Sequence, residues 1–73
     1  MATAAVIGEA LAIEGYALAG AMIYAAHDYE EAVAAFQSLP ADTALLILTA
    51  SAAEWLTDRL QQRPEILAAV MRP

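Results

Sequence analysis

The chain has 73 residues, enough for one domain and near the size at which a single core only just supports an independent fold. Its 62% hydrophobic content exceeds the roughly 45–50% of an average soluble domain and argues against disorder, although alanine supplies much of it. Three arginines and no lysine against nine acids give a formal charge of −6, which repels a nucleic-acid backbone and leaves no basic patch to overcome it. The absence of cysteine removes any disulfide framework or thiolate metal site and fits a reducing compartment. The opening "MATAAVIGEA" has no basic n-region of a secretion signal, so the expected location is cytoplasmic.

"TAAVI", residues 3 to 7, is an apolar run that stops at Gly8, the pattern of a strand buried on both faces. "EALAIEGYALA", residues 9 to 19, places Leu11, Gly15 and Leu18 on one helical face, with Glu9 and Glu14 where a helix dipole favours negative charge. Gly15 costs this helix stability, which close packing against a sheet would explain. The uncharged run from Gly15 to Ala26 is too short for a bilayer crossing, which needs about 20 apolar residues. It divides instead into a helix end, a glycine stop at Gly20 and a buried second strand, "AMIYA" at 21 to 25.

"HDYEEAVAAFQSLP" opens a helix with Asp28 as N-cap and Glu31 three positions on, a capping box, and its apolar stripe is Ala32, Ala35, Phe36 and Leu39. Pro40 ends it, and "ALLILTA" supplies a strand apolar enough to be central in a sheet. Ser51 with Glu54 predicts the start of a third helix, with Leu56 and Leu60 on its buried face. Arg63 and Pro64 close that helix, and "EILAAVMRP" predicts a fourth strand. Alternation of strands with helices of about ten residues implies right-handed crossovers and a parallel sheet covered on both sides. The expected fold is α/β, a single domain over 1–73.

Open parallel sheets bind ligands beyond the carboxyl ends of their strands, which here means Gly8, Glu9, Ala26, His27, Asp28, Thr49, Ala50 and Ser51. Gly8, Gly15 and Gly20 do not form a G-x-G-x-x-G dinucleotide fingerprint, and no phosphate loop ending in G-K-[ST] is present. A phosphoacceptor receiver domain shares this architecture, but it needs an aspartate after its third strand and a lysine. Here Thr49 stands at the first position and the chain has no lysine. His27 beside Asp28 suggests a general-base or metal pair, yet no second histidine or cysteine completes it, and Asp28 already serves as a cap. Ser51 lacks a nucleophile elbow. No catalytic, cofactor or metal residue is therefore expected. Trp55 lies about 100° from Leu56 around its helix, at the flank of the buried face. With Arg59 one turn on, it is a candidate partner contact, because both residue types are enriched in binding hot spots. Tyr16, Tyr24 and Tyr29 read as boundary residues with buried rings and wet hydroxyls.

Nearly the whole chain resembles the F subunits of the V/A-type rotary ATPases and ATP synthases. The likeness is carried by "AVIGE" in the first strand, "IEGYALAGA" from the first helix into the second strand, "YEEAVAAF" in the second helix and "DTALLILTASAAEWL" across the third strand. The resemblance implies a small flavodoxin- or receiver-like three-layer fold with four parallel strands in the order 2-1-3-4. It also implies a non-catalytic member of the rotor's central stalk in a proton- or sodium-translocating complex engaged in ion transport and ATP synthesis. Such a protein docks on the long helical pair of the rotor shaft, the D subunit, below the catalytic A/B headpiece and peripheral to the membrane, and it modulates ATP hydrolysis. Family members continue past the fourth strand into a C-terminal tail that this sequence, ending at Pro73, does not include.

The partner-interface candidates are Trp55, Arg59, His27 and Thr49, nominated by expected exposure. Self-association of the isolated domain through an exposed edge is a further expectation. The alternative is a stand-alone flavodoxin-like regulatory or ligand-binding module without phosphoacceptor chemistry, with its ligand at Gly8, Glu9 and Thr49. An enzyme using His27, Asp28 and Glu9 is the weakest reading.

Overall fold

Strand β1 (Thr3–Gly8) pairs in parallel with β2 (Met22–Ala25) on one side and β3 (Thr43–Leu48) on the other, and β4 (Leu67–Val70) adds in parallel to β3. The sheet order is β2-β1-β3-β4, the order implied by the resemblance. These elements come from a computed structural model that describes residues 3–9 and 20–71. The expected first helix, 9–19, lies outside the described residues except for Glu9, which follows β1 as irregular backbone. Between the strands lie α1 (Tyr29–Gln37), α2 (Ala50–Trp55) and α3 (Thr57–Leu60).

Right-handed crossovers from β2 to β3 and from β3 to β4 run the same way along the sheet, so α1, α2 and α3 belong to one face. On that face Ala5, Ile7, Leu46 and Leu48 meet Ala32, Ala35, Phe36, Leu39, Ala52, Leu56 and Ile66 in one apolar cluster. Val6 points to the opposite face and is also fully buried, so β1 is enclosed on both sides, as its unbroken apolar run predicts. Each of the fully buried large side chains Ile7, Leu46, Leu48, Leu56 and Val6 contributes about 1.5–3 kcal/mol by leaving water.

Several local expectations change. The second strand is not buried: β2 is an edge strand, and Met22 is 41% exposed. Gly20, just before it, has φ +85, a left-handed conformation that glycine adopts without steric cost. Helix α1 stops at Gln37, before Pro40 can act, because the Ser38 hydroxyl donates to the Ala34 carbonyl at 2.9 Å and closes the last turn. The third helix is two short helices that break at Leu56 (φ −103, ψ 7). Thr57 accounts for the break: its hydroxyl donates to the carbonyls of Ala53 (2.9 Å) and Glu54 (3.2 Å) and competes with the helical ladder. Finally, β4 is only four residues long, because the Ile66 N–H turns back to the Arg63 carbonyl (3.1 Å). All four of its residues are exposed.

Candidate functional site

The chain reverses direction along the sheet between β1 and β3, so the crevice expected of an open parallel sheet lies where Gly8, Glu9 and Thr49 come together. Hydrophobic strands and register bring these three residues into one place. The Thr49 N–H donates to the Ile7 carbonyl (3.2 Å), and the Ala26 N–H donates to the Gly8 carbonyl (2.8 Å). The ends of three strands are thereby tied side by side.

Thr49 fills the crevice. It is buried, and its hydroxyl and β-carbon lie 2.8 Å and 3.0 Å from where a β-carbon on Gly8 would stand, with its methyl closer still. Only a glycine at position 8 admits this approach. The Thr49 hydroxyl accepts from the Ala52 N–H (3.3 Å) and donates to the Glu9 carboxylate (3.2 Å). Thr49, and not Ser51, is therefore the N-cap of the helix after β3, and Ser51 sits exposed inside its first turn. The expected cap falls two residues late because a Ser51–Glu54 box reads well in sequence, whereas the end of an apolar strand hides the earlier threonine. The exposure that nominated Thr49 as a partner contact is also absent.

Beside this joint, the Asp28 carboxylate accepts from the Glu31 N–H at 2.8 Å, as predicted for the N-cap of α1. The Glu31 carboxylate accepts from the backbone N–H of His27, one residue earlier than in an ordinary capping box (2.8 Å). The His27 ring nitrogen Nδ1 is 3.4 Å from the same carboxylate, with both side chains more than half exposed. A pair in that setting contributes little to stability. Among the described residues no group of three histidine, cysteine or acidic side chains could hold a metal ion. His27 and Asp28 thus share one capping arrangement around Glu31 while Glu9 pairs with Thr49, and the geometry assembles no acid–base pair from the three.

The other interface candidates lie away from the crevice. Trp55, at the end of α2, is half-buried against the apolar cluster, so its ring is partly core. Arg59, in α3, is half-buried, and its guanidinium donates to the Tyr29 hydroxyl at the start of α1 (3.4 Å). The break at Leu56 separates the two residues.

Arg63 reads in sequence only as the end of a helix, but it does more. It donates through its guanidinium to the carbonyls of Leu39 (3.5 Å), Pro40 (3.3 Å) and Ala41 (3.3 Å), and to Glu65 at 2.9 Å. It fastens the turn before β4 to the turn before β3, at the sheet end opposite the crevice. The Glu65 backbone N–H and the Arg63 guanidinium hold the Glu65 carboxyl below the usual carboxylate range. No described helix is long and apolar enough to cross a membrane. No family model matches the chain, and no curated protein or solved structure matches it.

Proposed function

We propose that the chain is a non-catalytic component of the central stalk of a V/A-type rotary ATPase or ATP synthase, docked on the helical pair of the shaft beneath the A/B headpiece. In this reading it is cytoplasmic, peripheral to the membrane, and modulates ATP hydrolysis without binding nucleotide. The reading rests on the sequence likeness, and one structural observation weighs against its alternative. Where a receiver-type domain needs a reactive aspartate, Thr49 is packed onto Gly8 with both hydrogen-bonding capacities of its hydroxyl used locally. A ligand at Gly8, Glu9 and Thr49 would have to displace that packing, which counts against the ligand-module alternative.

The test is ATP hydrolysis by an assembly of the A/B headpiece and the shaft, with and without this chain. The proposal expects the chain to co-purify with the assembly and to change its hydrolysis rate. A rate that stays the same, with the chain left unbound, would sink it.

A further inference from the structure

The edge strand β4 is apolar and exposed along its whole length, and its shortness is the one device that protects this sheet edge. Leu67 is 69% exposed and Val70 55%, and the four residues Leu67, Ala68, Ala69 and Val70 include no charge, proline or bulge. We propose that β4 pairs with β4 of a second copy of this chain, antiparallel about a two-fold axis through Ala69, joining two four-stranded sheets into one of eight strands. This inference is independent of the rotor-stalk reading.

The hydrogen-bond ladder sets the register. The Met71 N–H donates to the Leu48 carbonyl at 2.7 Å, so Met71, and with it Ala69 and Leu67, turn their backbone groups toward β3. In a parallel ladder successive residues alternate, so Ala68 and Val70 turn theirs outward. An antiparallel partner can bond only to these outward residues. Setting Ala68 opposite the second copy's Val70 uses every outward group of the strand, in two pairs that each exchange two hydrogen bonds. Centring on Ala68 would instead require the Ile66 N–H, which already donates to the Arg63 carbonyl.

Centring on Ala69 is also self-complementary in shape. Two alanines face each other at the axis in a non-hydrogen-bonded pair, where strands come closest. Leu67 lies opposite Met71 on one face of the sheet, and Ala68 lies opposite Val70 on the other. An interface of this kind, in which residue i meets j and j meets i, is what two-fold symmetry demands.

Charge does not oppose the contact locally. The nearest described ion pair, Arg63 with Glu65, is internally compensated, and the strand itself is neutral. The formal charge of −6 on each copy does act at longer range, so salt strengthens the dimer by screening it. A four-residue strand is only about 13 Å long, so its edge falls well short of the roughly 800 Å² per partner that a stable interface buries. The dimer is accordingly weak and concentration-dependent.

The experiment is sedimentation equilibrium over a wide concentration series, at low and moderate salt, on the wild-type chain and on Ala68→Pro. Proline at 68 removes an outward N–H and leaves the bonds to β3 intact, the one setting in which an edge strand tolerates it. Wild type is expected to show a rising average mass that salt increases, and folded Ala68→Pro a monomer mass at every concentration. Ala69→Cys provides a second readout that does not depend on the proline variant folding. The chain has no other thiol, and facing cysteines at the axis meet disulfide geometry. Oxidative cross-linking of Ala69→Cys should exceed that of Gln61→Cys, in an exposed turn, by about tenfold or more through the effective concentration of the paired strands. A wild-type chain that stays monomeric, folded Ala68→Pro that still dimerises, or equal cross-linking at 69 and 61 would each overturn the proposal.

Discussion

Substituting Gly8 by alanine tests the joint between β1 and β3. The added methyl would sit 2.8 Å from the Thr49 hydroxyl and 3.0 Å from its β-carbon, and would overlap the Thr49 methyl. Carbon and oxygen atoms do not tolerate such distances, so Thr49 must rotate or the strands must part. Overpacking of a filled site costs about 1–3 kcal/mol, and a rotated Thr49 also gives up its cap on the Ala52 N–H, worth about 1 kcal/mol. Against this, alanine recovers about 0.4–1 kcal/mol through the unfolded chain where its backbone angles are compatible, and Gly8 is not at positive φ. The net expectation is about 2 kcal/mol of destabilisation, read by urea unfolding.

A second variant isolates the cause. Thr49→Ser keeps the capping hydroxyl and removes the methyl that makes the closest clash, so Gly8→Ala should cost about 1 kcal/mol less in the serine background. A neutral Gly8→Ala, or equal costs in both backgrounds, would show that the glycine is not there to admit Thr49.

Four further outcomes are expected. Arg63→Ala should destabilise by about 2 kcal/mol, because hydrogen bonds to a charged group contribute about 1.5–3 kcal/mol and three carbonyls lose their donor; Arg63→Lys, lacking the planar fork, should recover only part of it in the same assay. Thr43→Val should be neutral or stabilising in thermal unfolding, since the buried Thr43 hydroxyl has no hydrogen-bond partner among the described residues. Asp28→Ala should lower stability by about 1 kcal/mol through loss of the cap, with Asp28→Asn close to wild type. In an NMR titration Glu65 should ionise below the usual carboxylate range, and Arg63→Gln should raise its midpoint without restoring the ordinary value, because the Glu65 backbone N–H remains. With the folded-state value lowered, the stability this carboxylate adds is present above the ordinary range and disappears as pH falls through the lowered value.

The parts of this fold that could be read from the residues are those set by unbroken apolar runs and by adjacent caps. "AAVI" and "LLIL" carry their burial in composition alone, and Asp28 with Glu31 announces the start of α1 within four positions. What the residues did not reveal depended on geometry that residue type alone does not carry, some of it local and some of it between distant segments. The exposure of β4 follows from its place beyond β3, where none of the described helices covers it, and "LAAV" has the same composition whether covered or not. The Thr49 cap required knowing that β3 ends at Leu48, and the break at Leu56 depends on where the Thr57 hydroxyl swings. The three carbonyls held by Arg63 are more than twenty residues away in sequence, so nothing near position 63 points to them.

The candidate site divides along the same line. The absence of a phosphoacceptor aspartate was legible at Thr49, but the manner in which threonine occupies that position was not. Residue spacing puts Trp55 and Arg59 one turn apart on a single helix after β3, whereas α2 ends at Trp55 and Arg59 lies in α3. Their separation by the helix break was invisible, and so was the partial enclosure of the Trp55 ring by the core.

The docking claim is tested most directly by calorimetric titration of the shaft's isolated helical pair with this chain, with Trp55→Ala alongside. Docking on the shaft requires micromolar or tighter binding at one chain per helical pair, and weaker binding by the variant would place the face around α2 at the contact. No heat and no complex at concentrations where the chain is folded would rule out docking on the shaft.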